Sequence, residues 1–394
     1  MVNLGQRCGS LGVACLVALA AGTAIAAQVA ATTTGNTPPR LTADLAPTGP
    51  ARLAPGLTVG AVPPAPTTRR TAGTSPVARI AAQVMPRRWL SGAAGDEAAD
   101  GRYGAWRGEP IDIGGTWDDN DVAQVEMYSI CGGDWAHWTK PLDVAVGAID
   151  VTRGESWAAA ARGVYDARWR KNLEQIKSCW GDRDPGRLYI RFAHEMNLPN
   201  RWQVRGGQER DFVRAITRYS TLRYAIIPRA KIVLCPNDGT DGGLGGLDLR
   251  KLWPGRDGKG RPVADVYAVD SYNSYGLVRT RTQFLTKINA LQRNGAPQGI
   301  EQHRRFAASK GVPFAISEWS NDGDPRDAGG GGESPEFVRE FNAWARAHSG
   351  DVNHPRPGQL LYELHFNLWR QYQFWPTTMQ PKTASAYRSL TWGH

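Results

Sequence analysis

A single (β/α)8 barrel is the fold that the sequence predicts. Eight short β-prone runs follow one another between Tyr103 and Asn367. Stretches with helical apolar spacing separate several of them. Alternation of this kind implies a parallel sheet covered by helices, and eight units suggest closure into a barrel. Two of the runs end on glutamates, at the place where such a barrel gathers its functional groups.

Two segments of different character precede the barrel. Leu11 to Ala27 is apolar and alanine-rich, follows Arg7, and contains the small-residue sequence Ala24-Ile25-Ala26. That pattern predicts a signal peptide over residues 1–27, and the run is short for a membrane span. Residues 28–95 are rich in Ala, Pro, Thr and Gly, with few aromatics and no periodicity. Such a segment cannot bury enough apolar surface to offset its ordering entropy, so a disordered linker is expected. Up to Gly95 there are eight arginines, no lysine and one acid, Asp44, which accounts for +7 of the formal +10. The folded part is left with about +3, too little to imply a nucleic-acid partner. The expectation is an exported monomer, secreted or held in the cell envelope, without stable membrane insertion.

The strands are expected at Tyr103–Trp106, Val125–Ile130, Leu142–Ile149, Leu188–His194, Lys231–Pro236, Val266–Tyr272, Pro313–Glu318 and Leu360–Asn367. Ser156 to Cys179 carries Ala159, Val164, Trp169, Leu173 and Ile176 at helical spacing. Gln208 to Ile227 and Thr282 to Leu291 are similar. Ser334-Pro335-Glu336 begins another helix with a capping residue, a first-turn proline and an acid. Between Arg107 and Gln124 the chain is rich in Gly and Asp, and a first covering helix is missing from the pattern. Cys131, Cys179 and Cys235 lie in the folded part, enough for at most one intramolecular disulfide with one thiol left over. Their spacing matches no zinc site.

Across the strand ends the residues form a consistent set: Trp106, Tyr128, Asp150, His194, Glu195, Asn197, Asn237, Asp270, Tyr272, Glu318 and Trp369. Carboxylates and amides pair with sugar hydroxyls, and indole rings stack on the apolar face of a pyranose. The chain has 15 tryptophans. Trp117, Trp135, Trp138, Trp202, Trp319 and Trp375 follow or end a predicted strand, as a polysaccharide cleft would need, although core packing accounts for about half of such rings. Two carboxylates facing one pocket are what acid/nucleophile cleavage of a glycosidic bond requires.

The stretch Arg191-Phe192-Ala193-His194-Glu195-Met196-Asn197 resembles the acid/base motif of glycoside hydrolase family 26, the β-mannanases and their relatives. Ser317-Glu318-Trp319 resembles that family's nucleophile strand, and Asp270-Ser271-Tyr272-Asn273 its sixth. The resemblance spans Tyr103 to Trp392 and implies a barrel with glutamates on strands four and seven, where Glu195 and Glu318 fall. It implies Glu195 as general acid/base and Glu318 as nucleophile. It further implies that His194 orients substrate or the second carboxylate, that Tyr272 hydrogen-bonds Glu318, and that Trp202 lines the leaving-group subsite. Asn197, Trp319, Trp369, Trp106 and Asp270 complete the expected substrate contacts. Family members commonly follow this motif with a glycine and a nearby tryptophan, whereas Leu198-Pro199-Asn200-Arg201 intervenes here before Trp202. That departure bears on mannan specificity more than on hydrolysis. The expected activity is retaining endo-hydrolysis of a β-linked polysaccharide, β-1,4-mannan first, with β-1,3-xylan, mixed-linkage β-glucan or a self-made exopolysaccharide behind it. A non-catalytic polysaccharide-binding barrel and an envelope anchor are the rival classes.

Other signals carry less. His194-Glu195 begins like a zinc-protease motif, but the second histidine would fall at Leu198. Asp118-Asp119-Asn120-Asp121 and the loop from Asn321 to Glu333 lack EF-hand spacing. Asn237 to Gly246 lacks the phosphate-loop lysine. No metal and no cofactor are expected.

Overall fold

In the computed structural model, residues 87–119, 127–239, 245–275, 277–327 and 329–394 are described. The expected signal peptide and nearly all of the expected linker lie outside them. Eight strands form a closed parallel barrel in sequence order: β1 (Leu90–Ala94), β2 (Ile113–Asp118), β3 (Leu142–Val146), β4 (Leu188–Phe192), β5 (Lys231–Leu234), β6 (Val266–Asn273), β7 (Phe314–Asn321) and β8 (Leu360–Phe366). Closure comes from β8 pairing back on β1, with Leu90 opposite Tyr362 and Ala94 opposite Phe366. The covering helices are α1 (Arg102–Arg107), α2 (Asp166–Trp180), α3 (Glu209–Ile226), α4 (Arg281–Ile288), α5 (Ile300–Ser309), α6 (Pro335–His348) and α7 (Pro381–Arg388), with shorter helical turns between. Among the described residues no helix is long and apolar enough to cross a membrane.

Two predicted strands are corrected. Tyr103–Trp106 lies in helix α1, and Tyr128–Cys131 is a helical turn, while Val125 lies outside the described residues. The true first strand, Leu-Ser-Gly-Ala-Ala, falls inside the stretch assigned to the linker, and the second is Ile-Gly-Gly-Thr-Trp-Asp. The first has no β-branched or aromatic residue of the kind that marks strands, and paired glycines interrupt the second. Close approach requires the small residues. A Cβ on Gly92 would stand 2.0 Å from the Ile113 carbonyl oxygen, and one on Gly114 2.0 Å from the Trp135 ring. Because two misplaced strands stand in for two missed ones, strand numbering is unchanged, and Glu195 follows β4 while Glu318 lies on β7.

The apolar core has two parts. Ile113, Tyr189, Val233, Tyr362 and Leu364 fill the barrel, and a larger layer between sheet and helices holds Trp89, Trp157, Trp169, Trp180, Trp319 and Trp392. A disulfide joins Cys131 to Cys179 on α2, leaving Cys235 free and buried. Its sequence separation of 48 gives, by the chain-entropy relation, a contribution of about 4 kcal/mol. The double variant Cys131→Ser/Cys179→Ser should therefore lose about 2–4 kcal/mol of unfolding free energy in non-reducing urea titrations. An unchanged midpoint would mean that the bond does not restrain the chain.

Candidate active site

Just past β4 the backbone turns sharply. Ala193 and Glu195 both adopt left-handed conformations, φ 53° and 51°, at about 1–3 kcal/mol each for non-glycine residues. Local hydrogen bonds hold the turn. The Glu195 amide donates to the Cys235 carbonyl at 2.7 Å, and Asn200 Nδ2 donates to the Glu195 carbonyl at 2.8 Å. The Glu195 carboxyl then accepts from Asn237 Nδ2 at 2.5 Å. Asn237 is itself clamped by Asn197, whose side chain bonds its amide and its carbonyl, each at 2.8 Å. Asn197 is thus a buried strut beneath the site rather than a group open to a ligand.

Glu318 owes its direction to a bulge. Ile316 stands opposite Val269 and Glu318 opposite Asp270, so Ser317 is an extra residue in the ladder. A bulge lets neighbouring side chains depart from strict alternation. Ser317 reaches Asp143 at 2.9 Å and Glu318 reaches Arg191 at 2.6 Å, both inside the barrel. The Glu318 carboxylate also accepts from Trp117 Nε1 at 2.8 Å and from the Tyr272 hydroxyl at 2.7 Å. Tyr272 therefore makes the expected bond. Trp117, expected only as a cleft aromatic, is a direct partner of the glutamate.

Beneath both glutamates lies a fully buried charge network. Arg191 Nε bonds Asp143 at 2.6 Å, and its Nη1 lies 2.6 Å from Glu318 and 3.4 Å from Asp270. Burial opposes the charged guanidinium, but Asp143, Glu318 and Asp270 outweigh it and hold Arg191 charged well above its usual range. Asp143 is satisfied further by Ser317 and by the Tyr362 hydroxyl at 2.7 Å. Arg191 thus braces the barrel interior beneath both glutamates.

Carboxylate oxygens of Glu195, Asp270 and Glu318 all lie within 4.8 Å of one another. Three carboxylates so close could ligate a metal ion, but the Arg191 guanidinium already bonds two of them. Burial first, and then the charge of Glu318, push the Glu195 carboxyl up to about 8, although it is half-buried and keeps some solvent contact. It is therefore protonated at neutral pH. The bond from Asn237 works the other way, favouring the ionised form. Asn237→Ala should raise the Glu195 pKa by about 0.5–1 unit, the equivalent of one hydrogen bond worth about 1 kcal/mol. Titration of the carboxyl by NMR in the variant, or the alkaline limb of its pH–activity profile, measures this shift. A shift downward would contradict the role given to Asn237.

The remaining predicted residues divide. His194 is buried beside Glu195, with Trp202 Nε1 donating to its carbonyl at 2.6 Å and the two rings 5.5 Å apart. Trp202 is itself buried, so it supports His194 instead of presenting a face to a subsite. Trp369, 58% exposed and at φ 50°, packs edge-on against Phe366, which also touches Trp117, Tyr272 and Tyr372. That aromatic wall stands at the carboxyl ends of the strands, beside the glutamates.

Three further expectations are corrected. Asp270 is fully buried among Arg191, Cys235 and the glutamates, and burial and the charge of Glu318 raise its pKa; a substrate contact is replaced by a supporting one. Trp319 points out of the barrel into the helix layer, donating to Glu363 at 2.5 Å and stacking on Phe341. Trp106 sits on α1 against Trp375, Tyr387 and Arg388, away from the strand ends. Asp119, weighed in sequence only as part of a calcium-like run, is brought to the cleft one residue beyond β2, 3.6 Å from His194. Correct placement of β2 is the signal that would have found it. Its neighbour Asp118 is taken by Ser129, through both backbone and hydroxyl.

Comparison with protein-family models and with curated proteins finds no match. Solved structures are distantly similar at the level of the barrel. β-Glucuronidase 2 of Bacteroides uniformis is 9% identical, with 72% of this chain and 31% of that chain covered and a TM-score of 0.41. The endo-β-1,4-glucanase B of Bacillus halodurans is 8% identical over 74% of this chain and 55% of that one, TM-score 0.43. A β-1,4-mannanase of the sea hare Aplysia kurodai is 11% identical over 77% and 92%, TM-score 0.39. The chain thus spans only a third to a half of the first two, and the functional reading rests on its own site.

Proposed function

We propose that the chain is a retaining glycoside hydrolase of neutral β-linked polysaccharides, with β-1,4-mannan as the first candidate. The observation that carries this reading is a pair of glutamates at the strand ends, in opposite environments, with carboxylate oxygens within 4.8 Å. Retaining enzymes hold the two groups about 5–5.5 Å apart, whereas inverting ones need about 6.5–9.5 Å to admit a water. Glu195, protonated, gives its proton to the departing glycosidic oxygen as Glu318 attacks the anomeric carbon. The resulting glycosyl ester at Glu318 is then hydrolysed by water that Glu195, now ionised, deprotonates. Trp117, Tyr272 and Arg191 fix the attacking carboxylate and receive its charge when it leaves. The exposed Trp369 face offers stacking for a sugar ring. The leader pattern of residues 1–27 supports an activity outside the cytoplasm.

The preference for neutral sugars comes from charge. Arg191, the cation beneath the glutamates, is committed to Asp143, Asp270 and Glu318, so it offers a uronate carboxylate no free charge partner. Residues 87–394 incubated with β-mannan, β-1,3-xylan, mixed-linkage β-glucan and polygalacturonate, with reducing ends followed, should cleave one of the neutral polymers and leave the polyuronate intact. Proton NMR of the first product should show the β anomer. An α product would overturn retention, and binding without cleavage would favour a non-catalytic barrel.

A further inference from the structure

We propose that Asp119 and His194 form a coupled pair, in which the protonation state of Asp119 decides whether the second ring nitrogen of His194 donates or accepts a hydrogen bond. The pairing stands on geometry alone; its use in reading substrate rests on the hydrolase reading. Among the described residues the buried His194 Nδ1 atom has no hydrogen-bond partner, and Asp119 Oδ2 lies 3.6 Å from it. That gap is about 0.6 Å longer than a hydrogen bond, and contacts at reactive sites often tighten only when ligand binds. The ring is held in place by Trp202. Asp119, with 22% of its side chain exposed at the end of β2, is the freer partner.

Burial, and then the charge of Arg191, depress the His194 pKa well below its usual value, so the ring is neutral and carries a single N–H. An ionised Asp119 accepts that proton's hydrogen bond at Nδ1 and leaves Nε2 as an acceptor. A protonated Asp119 donates to Nδ1 and leaves Nε2–H as a donor. Arg191, Glu318 and Asp118 face Asp119, while Arg191 and the adjacent Glu195 stand near His194. Burial holds the Asp119 carboxyl at about 7, with Arg191 pulling it down and Glu318 and Asp118 pushing it up. Both states are therefore populated near neutrality. A sugar hydroxyl satisfies either state, but a ring or glycosidic oxygen only accepts and pairs only with the donor state. His194 is then a specificity-determining contact, and Asp119 the positioning residue that sets its polarity.

The test is nitrogen NMR of the full chain labelled with 15N-histidine, with His194→Gln to assign the signals. Between about pH 5.5 and 8.5 the two ring nitrogens should exchange protonated and unprotonated shifts, with a midpoint near 7. In Asp119→Ala one tautomer should persist throughout. Absence of the exchange in the native chain, or its survival in Asp119→Ala, overturns the pairing. In the Glu195→Gln background, mannohexaose binding measured by calorimetry at about pH 6 and pH 8 should change about fivefold with Asp119 present and less than about twofold in Asp119→Ala, the effect of one hydrogen bond. Equal pH dependence with and without Asp119 would refute its role in specificity. If mannohexaose does not bind, the mannan reading fails, and the histidine signals still decide the pairing.

Discussion

Glu195→Gln should lower kcat on the cleaved polysaccharide by about 10²–10⁴-fold, the usual contribution of a positioned general acid. Glutamine keeps the volume and the contact with Asn237 but has no proton to give the leaving oxygen. The loss should shrink for an aryl glycoside whose phenol leaves without protonation. Glu318→Gln removes the nucleophile itself, so its loss should be at least as large and equally severe on both substrates. This split separates the two roles, since a merely structural glutamate would damage both substrates alike. In the native chain, activity should fall about tenfold per pH unit above about 8, as Glu195 loses its proton. The pH profile of kcat/KM checks this. An alkaline limb unchanged in Glu195→Gln, or similar losses on both substrates, would remove Glu195 from the acid role.

Much of this site was legible in the sequence because it lies on strands that look like strands. Leu188-Tyr189-Ile190 and Phe314-Ala315-Ile316 are apolar and β-prone, and each leads into a glutamate. The first strand was illegible because it is mostly small residues, and the second because paired glycines interrupt it; Gly92 and Gly114 are required by contacts with Ile113 and Trp135 that no local pattern encodes. With β2 misplaced, Asp119 went unrecognised at the cleft and Trp117 as a partner of Glu318. Trp319 was misassigned for a different reason. Side chains alternate along a strand, so the residue after an inward-facing glutamate faces outward, and Trp319 does. The bulge at Ser317, which lets two successive residues face inward, is set by pairing with β6 and left no mark in the sequence.

Arg191→Met should destabilise the fold by about 3–5 kcal/mol, the usual effect of removing one partner from a buried ion pair. The number follows from what remains. Asp143, Asp270 and Glu318 would stay inside the barrel without the cation that faces all three. Arg191→Lys should recover only part of the loss, because Asp143 and Glu318 are bonded by different nitrogens of one planar fork, which a single ammonium cannot reproduce. The deficit should also depend on pH. Burial already raises the Asp143 and Asp270 carboxyls above their unfolded values, and Arg191 opposes that rise. Without it they rise further, so the folded variant holds protons that the unfolded chain releases above about pH 4. Stability of Arg191→Met relative to the native chain should therefore decline from about pH 5 to pH 8, measured by urea unfolding at each. A deficit independent of pH would mean that Arg191 acts through packing, and no deficit in either variant would mean that the three carboxyls do not depend on it.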